Sequence, residues 1–66
     1  MNIGANIRAI REARGLTQMQ LADKVNVSQG MIAQIERGTK GCTVALAVDI
    51  AKALNSTIDA IIGKGA

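Results

Sequence analysis

The chain has 66 residues, of which 48% are hydrophobic, and it contains no phenylalanine, tyrosine, tryptophan, proline or histidine. A chain of this length forms one domain, and its core must be built from aliphatic side chains and methionine. No apolar run is long enough to span a membrane, and no signal-peptide pattern opens the chain. A single cysteine excludes an intrachain disulfide, which fits a reducing cytoplasm. We therefore expect a single cytoplasmic domain over residues 1–66.

The formal net charge of +3 lies entirely in residues 1–40, because residues 41–66 hold two lysines against two aspartates. A basic half beside a neutral half suggests an anionic partner that approaches from one side. A surface that is merely solubilising explains a charge of this size equally well. Charge alone therefore does not identify a partner.

The first element in chain order is a predicted helix over residues 3–14. It is indicated by apolar residues at helical spacing and by the glycine after them, namely Ile3, Ile7, Ile10 and Gly15. The second helix begins at a capping box formed by Thr17 and Gln20. It ends at Asn26, a residue type that tolerates the left-handed conformation found after helices. Its expected inward side carries Leu21, Ala22 and Val25.

The third helix, from Gln29 to Arg37, has one apolar side and one side of amide, small and basic residues. Ser28 can cap its start, and Gly38 ends it. At about 100° per residue, one side groups Gln29, Gly30, Ala33, Gln34 and Arg37, while the other side groups Met31, Ile32 and Ile35. Glutamine can pair with the edge of adenine, and an alanine methyl can meet a thymine methyl. This side favours a contact with double-stranded DNA, and an ordinary solvated surface is the alternative.

The last two helices are indicated by Thr43 and Thr57, each of which can cap a helix start. The fourth helix closes at Asn55, and the fifth covers about residues 57–62. The expected inward stripe of the fourth helix is Ala47, Ile50, Ala51 and Leu54. In the fifth helix, core packing is preferred over an exposed dimer surface for Ile58, Ile61 and Ile62. The elements together predict an all-α fold of five helices.

Several segments match a known family in order and spacing. They are Arg11, the twenty residues from Gln18 to Arg37, the run Ile-Glu-Arg-Gly at 35–38, and the run Ile-Ala-Lys-Ala-Leu at 50–54. Through them the chain resembles the lambda-repressor-like helix-turn-helix family of phage and bacterial regulators over about residues 3–62. The resemblance implies a compact five-helix fold whose motif, residues 17–38, is formed by helices 2 and 3. It also implies a sequence-specific transcriptional regulator, expected to be a repressor.

The same resemblance implies DNA contacts for individual residues. In the major groove, the implied base contacts are Ser28, Gln29, Ala33 and Gln34. The implied phosphate contacts are Arg11, Thr17, Gln18, Arg37, Thr39 and Lys40. Arg11 and Glu36 are further expected to form a partly buried ion pair that also aims the arginine at a phosphate.

Three positions depart from the pattern of the family. Asn26 stands where glycine is usual, and Gly41-Cys42 stands where a proline commonly precedes helix 4. Gly30 lies at an early position of the recognition helix that often carries a base-contacting side chain. Because one contact is then missing, the expectation of a homodimer becomes stronger, with two recognition helices about 34 Å apart on DNA. A sensor or cleavable domain, as in longer relatives, is not expected.

Other kinds of chemistry have little support in this composition. An enzyme is the weakest option, because the chain has no histidine, no tyrosine and one isolated cysteine. We expect no cofactor, metal ion, membrane or small-molecule ligand. Met19 and Met31 are interpreted as packing residues, and Cys42 as a small loop or core residue. The second function class is an antitoxin-like subunit that binds a protein partner and binds DNA only secondarily.

Overall fold

The computed structural model of the chain describes residues 2–63, where it contains five helices and no strand. The helices are α1 (Ile3–Ala13), α2 (Gln18–Val25), α3 (Gln29–Arg37), α4 (Val44–Ala53) and α5 (Ile58–Ile62). The predicted all-α fold is confirmed. Of the expected domain over 1–66, Met1 and residues 64–66 lie outside the described residues. Within residues 2–63, none of the helices has the length and apolar character needed to cross a membrane.

Hydrogen bonds at the helix ends explain where each helix begins and stops. The capping box is complete, because Oγ1 of Thr17 accepts from the Gln20 amide at 3.1 Å and Oε1 of Gln20 accepts from the Thr17 amide at 2.8 Å. Asn26 ends α2 with a φ of 59°, in the left-handed region that asparagine tolerates. The caps of the three later helices are Ser28, Thr43 and Thr57. The side-chain oxygen of each accepts a hydrogen bond from the backbone amide three residues ahead, as predicted for serine and threonine at a helix start.

The core is aliphatic and draws on all five helices. The largest fully buried side chains are Ile7, Leu21, Ile32, Ile50, Leu54 and Ile61. The inward stripe predicted for α4 is confirmed, since Ala47, Ile50, Ala51 and Leu54 are all buried. In α5, core packing is confirmed for Ile61, whereas Ile58 and Ile62 are only half-buried. The apolar side of α5 is therefore used only in part by the core.

The interpretation of Met19 as a packing residue is wrong. Its surface is 57% exposed, because α2 buries the side that carries Leu21, Ala22 and Val25. Met19 lies about 160° around the helix from Leu21. Met31, in contrast, packs against the core.

Two side chains of α1 tie the later helices to it through backbone carbonyl groups. Nδ2 of Asn6 donates to the carbonyl oxygen of Ile61 at 2.8 Å. Nε of Arg14 donates to the carbonyl oxygen of Leu54 at 2.9 Å. The last carbonyl groups of a helix have no partner within it, so these bonds complete the ends of α5 and α4.

A close approach between α1 and α3 fixes the position of α3. A Cβ atom added to Gly4 would collide with the carbonyl oxygen of Ile35 and would lie 2.7 Å from the carbonyl oxygen of Glu36. Only glycine leaves room for this crossing. The buried Gly4 therefore sets the distance at which α3 lies on the rest of the domain.

Candidate nucleic-acid interface

Helix α3 is held by its apolar side and exposes the opposite side. Ile32 and Ile35 are 0% and 2% exposed. The residues of the other side are Gln29, Gly30, Gln34 and Arg37, all exposed, and Ala33, which is half-buried. The fixed apolar side limits how far this surface can move relative to the core, which suits a surface that must keep its side chains in register with a ligand.

The expected base-contacting residues lie together along this exposed side of α3. The amides of Gln29 and Gln34 each offer donors and an acceptor. Ser28 is exposed at the start of the helix, where its Oγ accepts from the Met31 amide at 3.1 Å. Its hydroxyl proton remains available, so capping and a contact with a base are chemically compatible. Contact of these residues with DNA stays a prediction.

The expected phosphate-contacting residues of the motif lie at the start of α2, at the end of α3 and in the loop after α3. Thr17 is exposed, and Gln18 is half-buried at the first position of α2, where a helix favours an anion. Arg37, the last residue of α3, is exposed, as are Thr39 and Lys40 in the loop after it. Oγ1 of Thr39 donates to the carbonyl oxygen of Gln34 at 3.2 Å, which steadies the start of the loop.

The expected ion pair between Arg11 and Glu36 is present and has two hydrogen bonds. Nε of Arg11 donates to Oε2 at 2.7 Å, and Nη2 donates to Oε1 at 3.1 Å. Nη1 donates to the carbonyl oxygen of Leu16 at 2.7 Å. The two side chains are 9% and 2% exposed. The hydrogen bond to Glu36 raises the pKa of the Arg11 guanidinium, against the effect of burial.

This geometry gives Arg11 a mainly structural task. All three guanidinium nitrogens donate to protein acceptors, and little of the side chain faces solvent. A direct contact of Arg11 with a phosphate stays a prediction. The exposed Arg37 and Lys40 are better placed for a flexible contact of that kind.

One relationship in this region was missed by the sequence reasoning. Nε2 of Gln18 donates to Oε1 of Glu36 at 3.1 Å, the same oxygen that accepts from Nη2 of Arg11. Glu36 therefore joins α1, the start of α2 and α3. No local pattern reveals such a bond, because its partners lie 18 residues apart and meet only in the folded chain.

Comparison with known proteins identifies the family. The sequence profile described as Helix-turn-helix matches residues 7–61. The chain belongs to the helix-turn-helix family. The resemblance drawn from the residues of the motif is thereby confirmed.

Two of the relatives of this helix-turn-helix chain are described as repressors. It is 41% identical over 64 residues to the immunity repressor protein of Bacillus phage phi105, covering 97% of this chain and 44% of the relative. It is 38% identical over 61 residues to the competence pilus inhibition repressor of Acinetobacter baylyi, covering 92% of this chain and 56% of the relative. The chain thus spans about half the length of these relatives.

A solved structure shares the fold of this helix-turn-helix chain closely. The P22 c2 repressor protein, in a complex with the synthetic operator 9T, matches with a TM-score of 0.84 and 30% identity over 92% of each chain. The lambda-repressor-like architecture expected from the sequence is confirmed by this likeness.

Proposed function

We propose that this chain is a sequence-specific regulator of transcription, a repressor, that inserts α3 into the major groove of double-stranded DNA at an operator half-site. The observation that carries the proposal is the exposed amide side of α3, with Gln29 and Gln34 held opposite the buried Ile32 and Ile35. The repressors among its relatives and the P22 c2 repressor–operator complex support the same function. Such a regulator acts in the cytoplasm.

The roles of the residues follow from their chemistry and position. Gln29 and Gln34 contact base edges, and the methyl group of Ala33 and the hydroxyl of Ser28 add shorter contacts. Arg37 at the end of α3, with Thr39 and Lys40 in the loop after it, binds the phosphate backbone. Thr17 and Gln18 do so at the start of α2. Phosphate contacts fix register and dominate the salt dependence, whereas base contacts set the sequence preference.

The proposal includes a homodimer on a near-palindromic operator. One recognition helix reads few base pairs, and two of them placed about 34 Å apart match one turn of DNA. Sedimentation of the protein with duplexes that carry one or two half-sites tests this part. Two chains should bind the two-site duplex cooperatively. Equal affinity per chain for both duplexes would indicate that each half-site binds one chain independently, as a monomer.

A selection experiment followed by a salt series tests the proposed function. Duplexes enriched by the protein from a random pool should share a motif, and the protein should prefer them over random duplexes by about 1,000-fold or more. Affinity for both should fall as salt rises. Binding that falls with salt but shows no sequence preference would reject a specific regulator.

A further inference from the structure

A single hydrogen bond joins the two helix ends to which phosphate contacts are assigned, the start of α2 and the end of α3. Nε2 of Gln18, the first residue of α2, donates to Oε1 of Glu36 at 3.1 Å. Glu36 directly precedes Arg37, the last residue of α3. The bond therefore runs from one phosphate-contacting helix end to a residue beside the other.

The partner of Gln18 fixes the orientation of its side chain. A carboxylate only accepts hydrogen bonds, so the amide of Gln18 must turn its NH₂ group towards Glu36. The Glu36 side chain is itself held in place, because it is 2% exposed and each of its oxygens accepts from Arg11. Hydrogen bonds to charged groups are stronger than those between neutral groups. The separation of the two helix ends is thus set by a strong contact to an immobile group.

The start of α2 keeps backbone donors that this bond does not use. Oγ1 of Thr17 accepts from the Gln20 amide at 3.1 Å. The amides of Gln18 and Met19 come before Gln20, and the first N–H groups of a helix have no acceptor within it. A phosphate can therefore meet the backbone of this helix end while the Gln18 side chain stays on Glu36.

The distance between two phosphate contacts decides how α3 lies on a duplex. Phosphate contacts fix the register of a protein on DNA. Hydrogen bonds to base edges require donor–acceptor distances of about 2.7–3.2 Å. If the two helix ends could shift relative to each other, α3 could rest on the phosphates without bringing Gln29 and Gln34 to the bases. Binding to any sequence tolerates such a shift, whereas recognition of one sequence does not.

We propose that Gln18 is a positioning residue whose side chain, through Glu36, fixes the distance between the start of α2 and the end of α3 and so keeps α3 in register with the base edges. This inference rests on the proposed function and gives Gln18 a role beyond a phosphate contact. A residue that only contacts a phosphate adds affinity for every sequence alike. Gln18 contributes to the preference between sequences without touching a base.

The first test compares Gln18→Met with the unchanged protein on two probes, a duplex selected from a random pool and a random duplex, at a temperature where both proteins are folded. Methionine is unbranched and favours helices, but it has no donor for Glu36. The preference for the selected duplex should fall by about 10-fold, as expected when base contacts are weakened. Affinity for the random duplex should change by less than about threefold, because the backbone donors remain.

Two results of this comparison would overturn the inference. Equal losses of affinity for both duplexes would reduce Gln18 to a phosphate contact. An unchanged preference would also overturn it, and a lower melting temperature beside that result would leave Gln18 a role in stability alone.

A matched pair of variants tests whether the side chain of Gln18 acts through Glu36. Gln18→Glu and Gln20→Glu each add one negative charge to the first turn of α2, where a carboxylate is favourable. Glutamate also suits the capping box, so Gln20→Glu should be at least as stable as the unchanged protein. In Gln18→Glu the new carboxylate would face Glu36, which already shares Arg11, and the melting temperature should fall at about pH 7.

The dependence on pH identifies the cause of that loss. Repulsion by Glu36 raises the pKa of the new carboxyl in the folded state of Gln18→Glu. Its penalty is absent below the unfolded pKa of about 4.3 and develops as pH rises through the higher folded value. The melting temperature should therefore approach that of the unchanged protein at about pH 4. If Gln18→Glu were as stable as Gln20→Glu at about pH 7, the side chain would not act through Glu36 and the inference would be wrong.

The unchanged protein separates a failure of this inference from a failure of the proposed function. If it shows no preference for its selected duplexes, the proposed function fails and this inference fails with it. If it discriminates and Gln18→Met discriminates equally well, only this inference is overturned. Gln20→Glu should keep the preference, because its added charge weakens binding to both duplexes alike.

Discussion

Nε of Arg11 donates a hydrogen bond of 2.7 Å to Oε2 of Glu36, which joins α1 to the C-terminal half of α3. The carboxylate is 2% exposed and also accepts from Gln18. Each of its oxygens therefore has a partner in the folded chain. The orientation of α3 therefore depends on the buried pair of Arg11 and Glu36. Removing either charge would leave the other one buried without compensation, which is costly.

Replacing the carboxylate should destabilise the domain strongly. Glu36→Gln leaves the buried guanidinium of Arg11 without a compensating charge, and breaking a buried pair costs roughly 3–5 kcal/mol. Urea unfolding monitored by circular dichroism measures this loss. DNA affinity should fall as well, because Arg11 and Gln18 share the carboxylate that ties α3 to α1 and to the start of α2. Unchanged stability and affinity would show that the pair is dispensable.

The exposed pair of Arg8 and Glu12 provides the control. Their closest atoms lie 3.4 Å apart, and their side chains are 64% and 55% exposed. Glu12→Gln should therefore change the free energy of unfolding by less than about 0.5 kcal/mol. Both substitutions remove one negative charge from the chain. A large loss of stability in Glu36→Gln but not in Glu12→Gln therefore isolates the effect of burial.

The contact between α1 and α3 gives a second stability prediction. Gly4→Ala should lower the free energy of unfolding by about 1–3 kcal/mol, because the new Cβ forces α1 away from the backbone of Ile35 and Glu36. Thermal unfolding measures the change. A variant as stable as the unchanged protein would show that the two helices can separate at no cost.

The helix boundaries and the stripes of the core were predictable because their signals are local. The capping residues Thr17, Ser28, Thr43 and Thr57 and the left-handed Asn26 act within a few residues of the chain. Helical periodicity then assigned the buried side of α3 and α4. Both signals depend on short-range geometry that the sequence displays directly.

What the sequence could not supply are contacts between distant segments. No local pattern reveals the hydrogen bond from Asn6 to the carbonyl oxygen of Ile61. The same holds for the close approach of Gly4 to the backbone of α3. The packing role predicted for Met19 from its residue type is wrong, because the rotation of α2 against the core decides its exposure. At the candidate interface, periodicity placed the side chains, but only the tertiary structure shows that Glu36 holds Gln18.

Cys42 allows a prediction about pH. Burial raises the pKa of its thiol above the ordinary value of 9.0, so the folded state favours the neutral form. This contribution to stability is fully present below the pKa of the unfolded state and is lost as pH rises through the higher folded value. At about pH 8, iodoacetamide should therefore modify the folded chain more slowly than the urea-unfolded chain. An equal or faster rate in the folded state would contradict the effect of burial.

We expect the amide side of α3 to read the DNA sequence, while Arg37 at its end and the loop after it hold the phosphate backbone. Gln34→Ala and Arg37→Ala, both at exposed positions of α3, separate these two tasks when affinities for a selected and a random duplex are measured at one salt concentration. We predict that Gln34→Ala reduces the preference for the selected duplex by about 10-fold or more. Arg37→Ala should weaken binding to both duplexes alike. If Gln34→Ala left the preference intact, or lowered both affinities equally, α3 would not be the reader of sequence.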